Sequence, residues 1–183
     1  MHIFKFDSLA AKAAMLYVAQ NTPKPTFAHL GKILYEADKL SLERTGRVIS
    51  GDPYNAYPNG PLPQNTYFDF KRTESQPNAT AIDNSYRIEY RLVDLSKKPA
   101  PWVVALESPN LGELSRSDLE CLDAAIARLG HLRFAELSEQ SHDAAWREAF
   151  ERQNGDFEIR LEAIVKTLPN AGSVLEYLAN PHP

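Results

Sequence analysis

One cysteine, Cys121, is all the thiol that 183 residues carry. No disulfide can close within the chain, and a reducing compartment is implied. Its setting in an apolar helical pattern marks it as core. Long hydrophobic runs are missing as well, none approaching the ~20 residues that span a bilayer. The start, MHIFKFDSLAAKAAMLYVAQNTPKP, has charges and no secretory type of cleavage site. The expectation is a cytoplasmic protein with no membrane role. Histidine is scarce, at positions 2, 29, 131, 142 and 182. No two are four apart on one helix, so no metal site is expected. His29 and Asp38, nine apart on one helix, fall on opposite faces and cannot act as a pair. Walker motifs, glycine-rich phosphate loops and serine-nucleophile motifs are absent, and no cofactor is expected. Excess positive charge is lacking too: 20 Lys and Arg against 24 Asp and Glu leave a formal charge of −4, which argues against a dominant nucleic-acid surface. The pair Lys97-Lys98 is too short to be an electrostatic footprint for DNA. Neither internal repeats nor low-complexity segments occur.

What is present is an ordinary soluble composition, 43% hydrophobic and 24% charged. The length predicts one domain, 1–183, around one hydrophobic core. Asp7 or Ser8 can cap a first helix with Leu9, Ala13, Leu16 and Tyr17 on one face, ended before Pro23 and Pro25. Thr26 caps the clearest helix. Leu30, Ile33, Leu34, Ala37 and Leu40 form its apolar stripe, Lys32, Glu36, Lys39 and Glu43 its polar one, and Gly46 its left-handed stop. A short helix is predicted over Gln64 to Lys71, then a polar excursion from Arg72 to Asn84. Tyr86 to Val93 alternates as a half-buried strand, and Trp102 to Leu106 is its antiparallel partner across an open loop. Ser115 and Ser117 are alternative caps of the next helix, the second with capping-box spacing to Glu120, and Gly130 closes it. Arg133–Glu139, Asp143–Glu151, Asp156–Thr167 and Ser173–Asn180 read as further short helices. The fold class is mainly α, with α+β character: six to eight helices with a small antiparallel sheet.

The stretch RVISGDPYNAYPNGPLPQNTYFDFK, residues 47 to 71, stands apart. Its glycines and prolines predict irregular backbone, while its aromatics predict an ordered loop packed on the domain. Tyr54, Tyr57, Tyr67 and Phe68 admit two readings: a protein-binding face, or anchors that seat the loop on the core. Asp52 reads as a turn residue before Pro53; the alternative is an acid–base pair with His142 across the fold, as in a hydrolase. His142 and Trp146, four apart at a helix start, suit local capping and core packing.

The run from Leu30 to Lys71 resembles the Panacea, or SocA-like antitoxin, domain. A helical Lys and Tyr lead into Ile-x-Gly-Asp, an aromatic and a Gly-Pro turn, here Lys32, Tyr35, Ile49, Gly51, Asp52, Tyr57, Gly60 and Pro61. Leu137, Ser138, His142 and Trp146 are similar to the family's second block. The resemblance is strongest over 30–70 and 111–150, with 72–107 as a variable insert holding the strand pair and 151–183 as C-terminal helices. It implies a binding protein rather than an enzyme: an antitoxin of a type II module that neutralises a cognate toxin encoded by a neighbouring gene. Its candidate protein-binding residues are Asp52, Tyr54, Tyr57, Gly60, Pro61, Tyr67, His142 and Trp146. The alternatives are an adaptor delivering a client or toxin to a ClpXP-type protease, and a hydrolase using Asp52 and His142. Oligomeric state is left open.

Overall fold

A computed structural model describes residues 4–76, 78–92, 98–152 and 155–180. Val93, Lys97, His2 and His182, which figure in the sequence reading, lie outside the described residues. Those residues form eight α-helices and two small antiparallel sheets, the mainly α architecture that periodicity predicts.

Helix α1 (Ser8–Asn21) starts at Asp7, whose carboxylate accepts from the amides of Leu9 and Ala10. Helix α2 (Phe27–Thr45) is capped by Thr26 and stopped by Gly46 at φ 67°, a left-handed conformation in which glycine has no Cβ penalty. α2 is the axis of the molecule. It contacts α1 together with α4 (Arg116–Leu129), α5 (Phe134–Ser141), α7 (Leu161–Lys166) and α8 (Ala171–Ala179). Burial is therefore almost continuous around it, and Lys32, which helical periodicity assigns to the polar stripe, is only 2% exposed. A periodic pattern reports one partner face; α2 has several.

The organising stretch differs from the irregular loop that its prolines predict. Strand β1 (Tyr54–Tyr57) turns at Pro58-Asn59 into β2 (Gly60–Pro63), pairing Tyr54 with Pro63 and Tyr57 with Gly60. A third strand, β5 (Glu158–Ile159), pairs with β1, in the order β2-β1-β5. β2 is an edge strand, where prolines are tolerated because no ladder partner needs their missing N–H. β5 also corrects the expected helix from Asp156, which begins only at Leu161. Helix α3 (Gln64–Glu74) follows β2 directly. β3 (Tyr86–Arg91) pairs with β4 (Ala100–Ala105) as alternation predicts, but only Tyr86 and Ile88 on its inner side are buried, while Tyr90 is exposed.

A capping box of Ser115 with Asp118, rather than Ser117 with Glu120, opens α4. Helix α6 (Ala144–Phe150) is capped by Asp143. Buried apolar residues fall into two clusters rather than one core. The first joins α1, α2, α4, the β3–β4 pair, Phe70 and Leu137. The second joins the far end of α2 to β1, α6, β5, α7 and α8. Cys121 is fully buried in the first. Among the described residues, no helix is long and apolar enough to cross a membrane.

Leu30 is fully buried on α2, whereas Leu9, placed on α1's inner face by its spacing, is 59% exposed. Leu30→Ala is expected to cost about 2–5 kcal/mol in urea unfolding, and Leu9→Ala about 0.5 kcal/mol or less.

Candidate functional site

The two motif blocks meet around the β1–β2 hairpin. Gly51, at φ 69°, lies so close to the N-terminal segment that a Cβ would stand 2.5 Å from the carbonyl oxygen of Lys5. Only glycine fits that approach. Asp52 is then aimed at the start of α3. Its Oδ1 accepts from the Asn65 amide at 2.8 Å and side chain at 3.0 Å; its Oδ2 accepts from the Thr66 amide at 2.9 Å and hydroxyl at 2.7 Å. Asp52 is thus a buried cap for orphan helix amides rather than a turn residue. Capping by a residue twelve positions before the helix has no local signature.

Asp38 of α2 performs the matching task on the other side. It accepts from the Ile49 amide and the Tyr54 hydroxyl, each at 2.7 Å. Burial raises its carboxyl to about 6, with those two hydrogen bonds opposing the rise. Tyr54 is 4% exposed and packs edge-on against Tyr35 at 5.0 Å. It is a core residue, and its hydroxyl ties β1 to α2. Tyr57 and Tyr67 are half-buried and meet at 5.1 Å, while Phe68 stands 69% exposed.

The second block arrives from α5 and α6. His142 stacks on Trp146 at 3.7 Å, and Trp146 on Phe150 at 4.6 Å. The Trp146 indole donates to the carbonyl of Tyr57 at 2.9 Å, and the Ser138 hydroxyl to that of Asn59 at 2.9 Å. Asp143 caps α6, accepts from the Tyr35 hydroxyl and pairs with Lys39 at 2.8 Å. Asp38, Lys39 and Asp143 carry much of this joint, and sequence reasoning passed over them because their partners are distant in the chain. Asp52 and His142 share no hydrogen bond: one faces α3, the other Trp146. The acid–base pair of the hydrolase reading is not assembled. Among the described residues, no group of three or more His, Cys, Asp or Glu side chains is placed to hold a metal ion.

Two spaces open near this joint. A cavity of about 350 Å³ lies between the β1 side of the hairpin and α7, walled by Tyr35, Asp38, Val48, Tyr54 and Leu161. A groove of about 540 Å³ runs along α1 and α3, with Leu9, Met15, Phe68 and Tyr86 as apolar walls. Its charged margin is internally paired, Lys12 with Asp83 at 2.8 Å and Asp69 with Arg72 at 2.7 Å.

Lys32 is the exception among the buried charges. No hydrogen bond or ion pair reaches it among the described residues, and burial lowers its ammonium from 10.5 to about 8. Below pH 8 it is protonated folded and unfolded, so the burial penalty is constant. Between pH 8 and 10.5 the unfolded chain keeps a proton that the folded chain has lost, so this group makes stability rise with pH, by roughly 3 kcal/mol in all. Urea unfolding across that window should show Lys32→Met lacking that rise relative to wild type. Asp52→Ala should lower stability by about 2–3 kcal/mol through lost capping, with the largest loss of amide protection at the first turn of α3.

The chain matches no curated protein and no solved structure. The family model described as Antitoxin SocA-like, Panacea domain matches residues 30–147, from Leu30 in the first turn of α2 to Arg147 of α6. That span holds both motif blocks and the hairpin they clasp, and it exceeds half of the chain. The protein belongs to the SocA-like antitoxin, Panacea domain, family.

Proposed function

We propose that this protein is the antitoxin of a type II toxin–antitoxin module, acting in the cytoplasm and neutralising the toxin of a neighbouring gene by direct binding. Family membership supports the antitoxin role. The observation that carries the binding surface is the exposed Phe68 beside the groove between α1 and α3. Leu9, 59% exposed, stands on the opposite wall, and Ile82, 71% exposed, adjoins Asp83 at its margin. Exposed large apolar side chains around a concavity are suited to a protein partner.

In this reading the motif residues divide by depth. Asp52, Tyr54, Gly60 and Trp146 are buried and hold the frame. Tyr57 and Tyr67 are partly accessible and pack on each other. The frame is held by charged and aromatic contacts inside one chain, so the surface is formed before a partner arrives. Preorganisation of this kind limits the ordering entropy lost on binding.

The first test is growth rescue: the product of the neighbouring reading frame expressed with and without this protein, followed by purification of the complex. Rescue with a stable complex is expected, and a harmless neighbour or unrelieved toxicity overturns the proposal. Rescue by disappearance of the toxin without a complex would indicate delivery to a ClpXP-type protease instead. Phe68→Glu should weaken toxin binding about 10- to 100-fold, equivalent to roughly 1–3 kcal/mol, with Tm nearly unchanged. Unaltered affinity would remove the α1–α3 groove from the interface.

A further inference from the structure

The cavity of about 350 Å³ beside β1 shares no lining residue with the groove that holds Phe68. Its two walls come from different parts of the chain. Leu42 of α2, Val48 and Pro53 lie within the family-matched span, whereas Phe4, Ile159, Leu161 and Ile164 lie outside it. The space is therefore made by the docking of this chain's own flanks on the matched domain. An apolar cavity of about 150 Å³ is enough for benzene, so this one admits a molecule roughly twice that size. Its volume falls in the range of small-ligand pockets.

Charge is distributed unevenly around it. Four carboxylates line the cavity, those of Asp38, Asp52, Glu158 and Glu162, against one guanidinium, that of Arg160. Asp52 is already filled by its four hydrogen bonds, and Glu162 pairs with Lys166 at 2.7 Å. Arg160 reaches Asp156 at 3.9 Å. Two acceptors remain. Glu158 is exposed at the rim, and no hydrogen bond or ion pair reaches its carboxylate among the described residues.

Asp38 is the deeper of the two. It is 4% exposed and accepts two hydrogen bonds, where a carboxylate has room for about four. A buried carboxylate half supplied with donors is held at a cost, visible in the rise of this carboxyl to about 6. At neutral pH it is mostly ionised, and an incoming cation relieves it. The two phenols in the wall add no free proton, because Tyr35 donates to Asp143 and Tyr54 to Asp38 itself. An anion finds neither a spare phenol proton nor an excess of positive charge.

We infer that this cavity binds a small organic cation, an amine carried on an apolar aryl or alkyl body. The body fills the space between the apolar walls, and the ammonium takes the acceptor sites left on Asp38 in charge-assisted hydrogen bonds. The Glu158 carboxylate adds attraction at the rim. Such a ligand clamps β5 and α7 against α2. The site stands on the lining residues alone and does not depend on the antitoxin reading.

The test titrates the whole chain with three probes of similar shape and different charge: 2-phenylethylamine, 2-phenylethanol and phenylacetate. Binding is followed by the backbone amide resonances of β5 and α7 and by Tm. The amine is expected to give saturable shifts and a rise in Tm, with the alcohol about tenfold weaker or worse and phenylacetate inert. Leu161→Trp fills the space from a half-buried wall position and should abolish the shifts. Glu158→Gln, at an exposed position, should weaken the amine about two- to fivefold and leave the alcohol unchanged. Equal or tighter binding of the alcohol or of phenylacetate overturns the cationic assignment. No saturable shift with any of the three probes overturns the site. Both outcomes are read on the wild type, so they stand even if a variant folds poorly. Failure of growth rescue leaves the titration intact.

Discussion

The rest of the structure depends on one constraint: α2 is enclosed on nearly every side, so most of the polar groups it carries are met by partners inside the protein. A buried carboxylate or ammonium left alone is expensive, and the neighbouring segments are arranged accordingly. Asp38 draws in the amide of Ile49 and the hydroxyl of Tyr54. His29 bonds the Thr26 hydroxyl at 2.8 Å and the carbonyl of Leu132 at 3.0 Å. Lys39 and Tyr35 both reach Asp143, and Glu36 pairs with Arg128 of α4. Thr26 apart, these partners are 11 to 108 residues away in sequence. The polar groups of one helix thereby position the hairpin, the α4–α5 connection and the α5–α6 corner together.

The hairpin is the other half of this joint. Asp52 fastens its approach to α3, Tyr54 fastens β1 to α2, and the indole of Trp146 fastens its turn to α6. The hairpin also lies where the two apolar clusters meet, with Tyr54 and Ala56 in one and Leu62 against the other. In the proposed binding role this separates two demands. Buried motif residues keep the shape, while Phe68, Leu9 and Ile82 at its margin can vary without loss of the fold. Surfaces of this kind can be retuned to different partners because exposed substitutions usually change stability little.

The acids near the hairpin and Lys32 are treated unequally. Acids near the hairpin are engaged by amides and hydroxyls; the lysine is not. A framework role alone would be served as well by a methionine of similar length, with no desolvation penalty.

The sequence by itself determined most of the elements. Apolar spacing and caps at Asp7, Thr26 and Gly46 are local signals, and the helices they mark formed where those signals stand. Alternation from Tyr86 marked β3 for the same reason. Tertiary structure alone decided what depends on contacts distant in the chain. Pro61 and Pro63 read as loop until β2 is seen to be an edge; Glu158–Ile159 becomes strand only because β1 offers it a partner. Asp52 becomes a cap because α3 begins twelve residues later at its carboxylate, and Lys32 becomes buried because α2 has neighbours on every side. Periodicity records how a segment divides its faces between water and one neighbour. It carries no information about which distant groups will meet there, and the candidate site is made of those meetings.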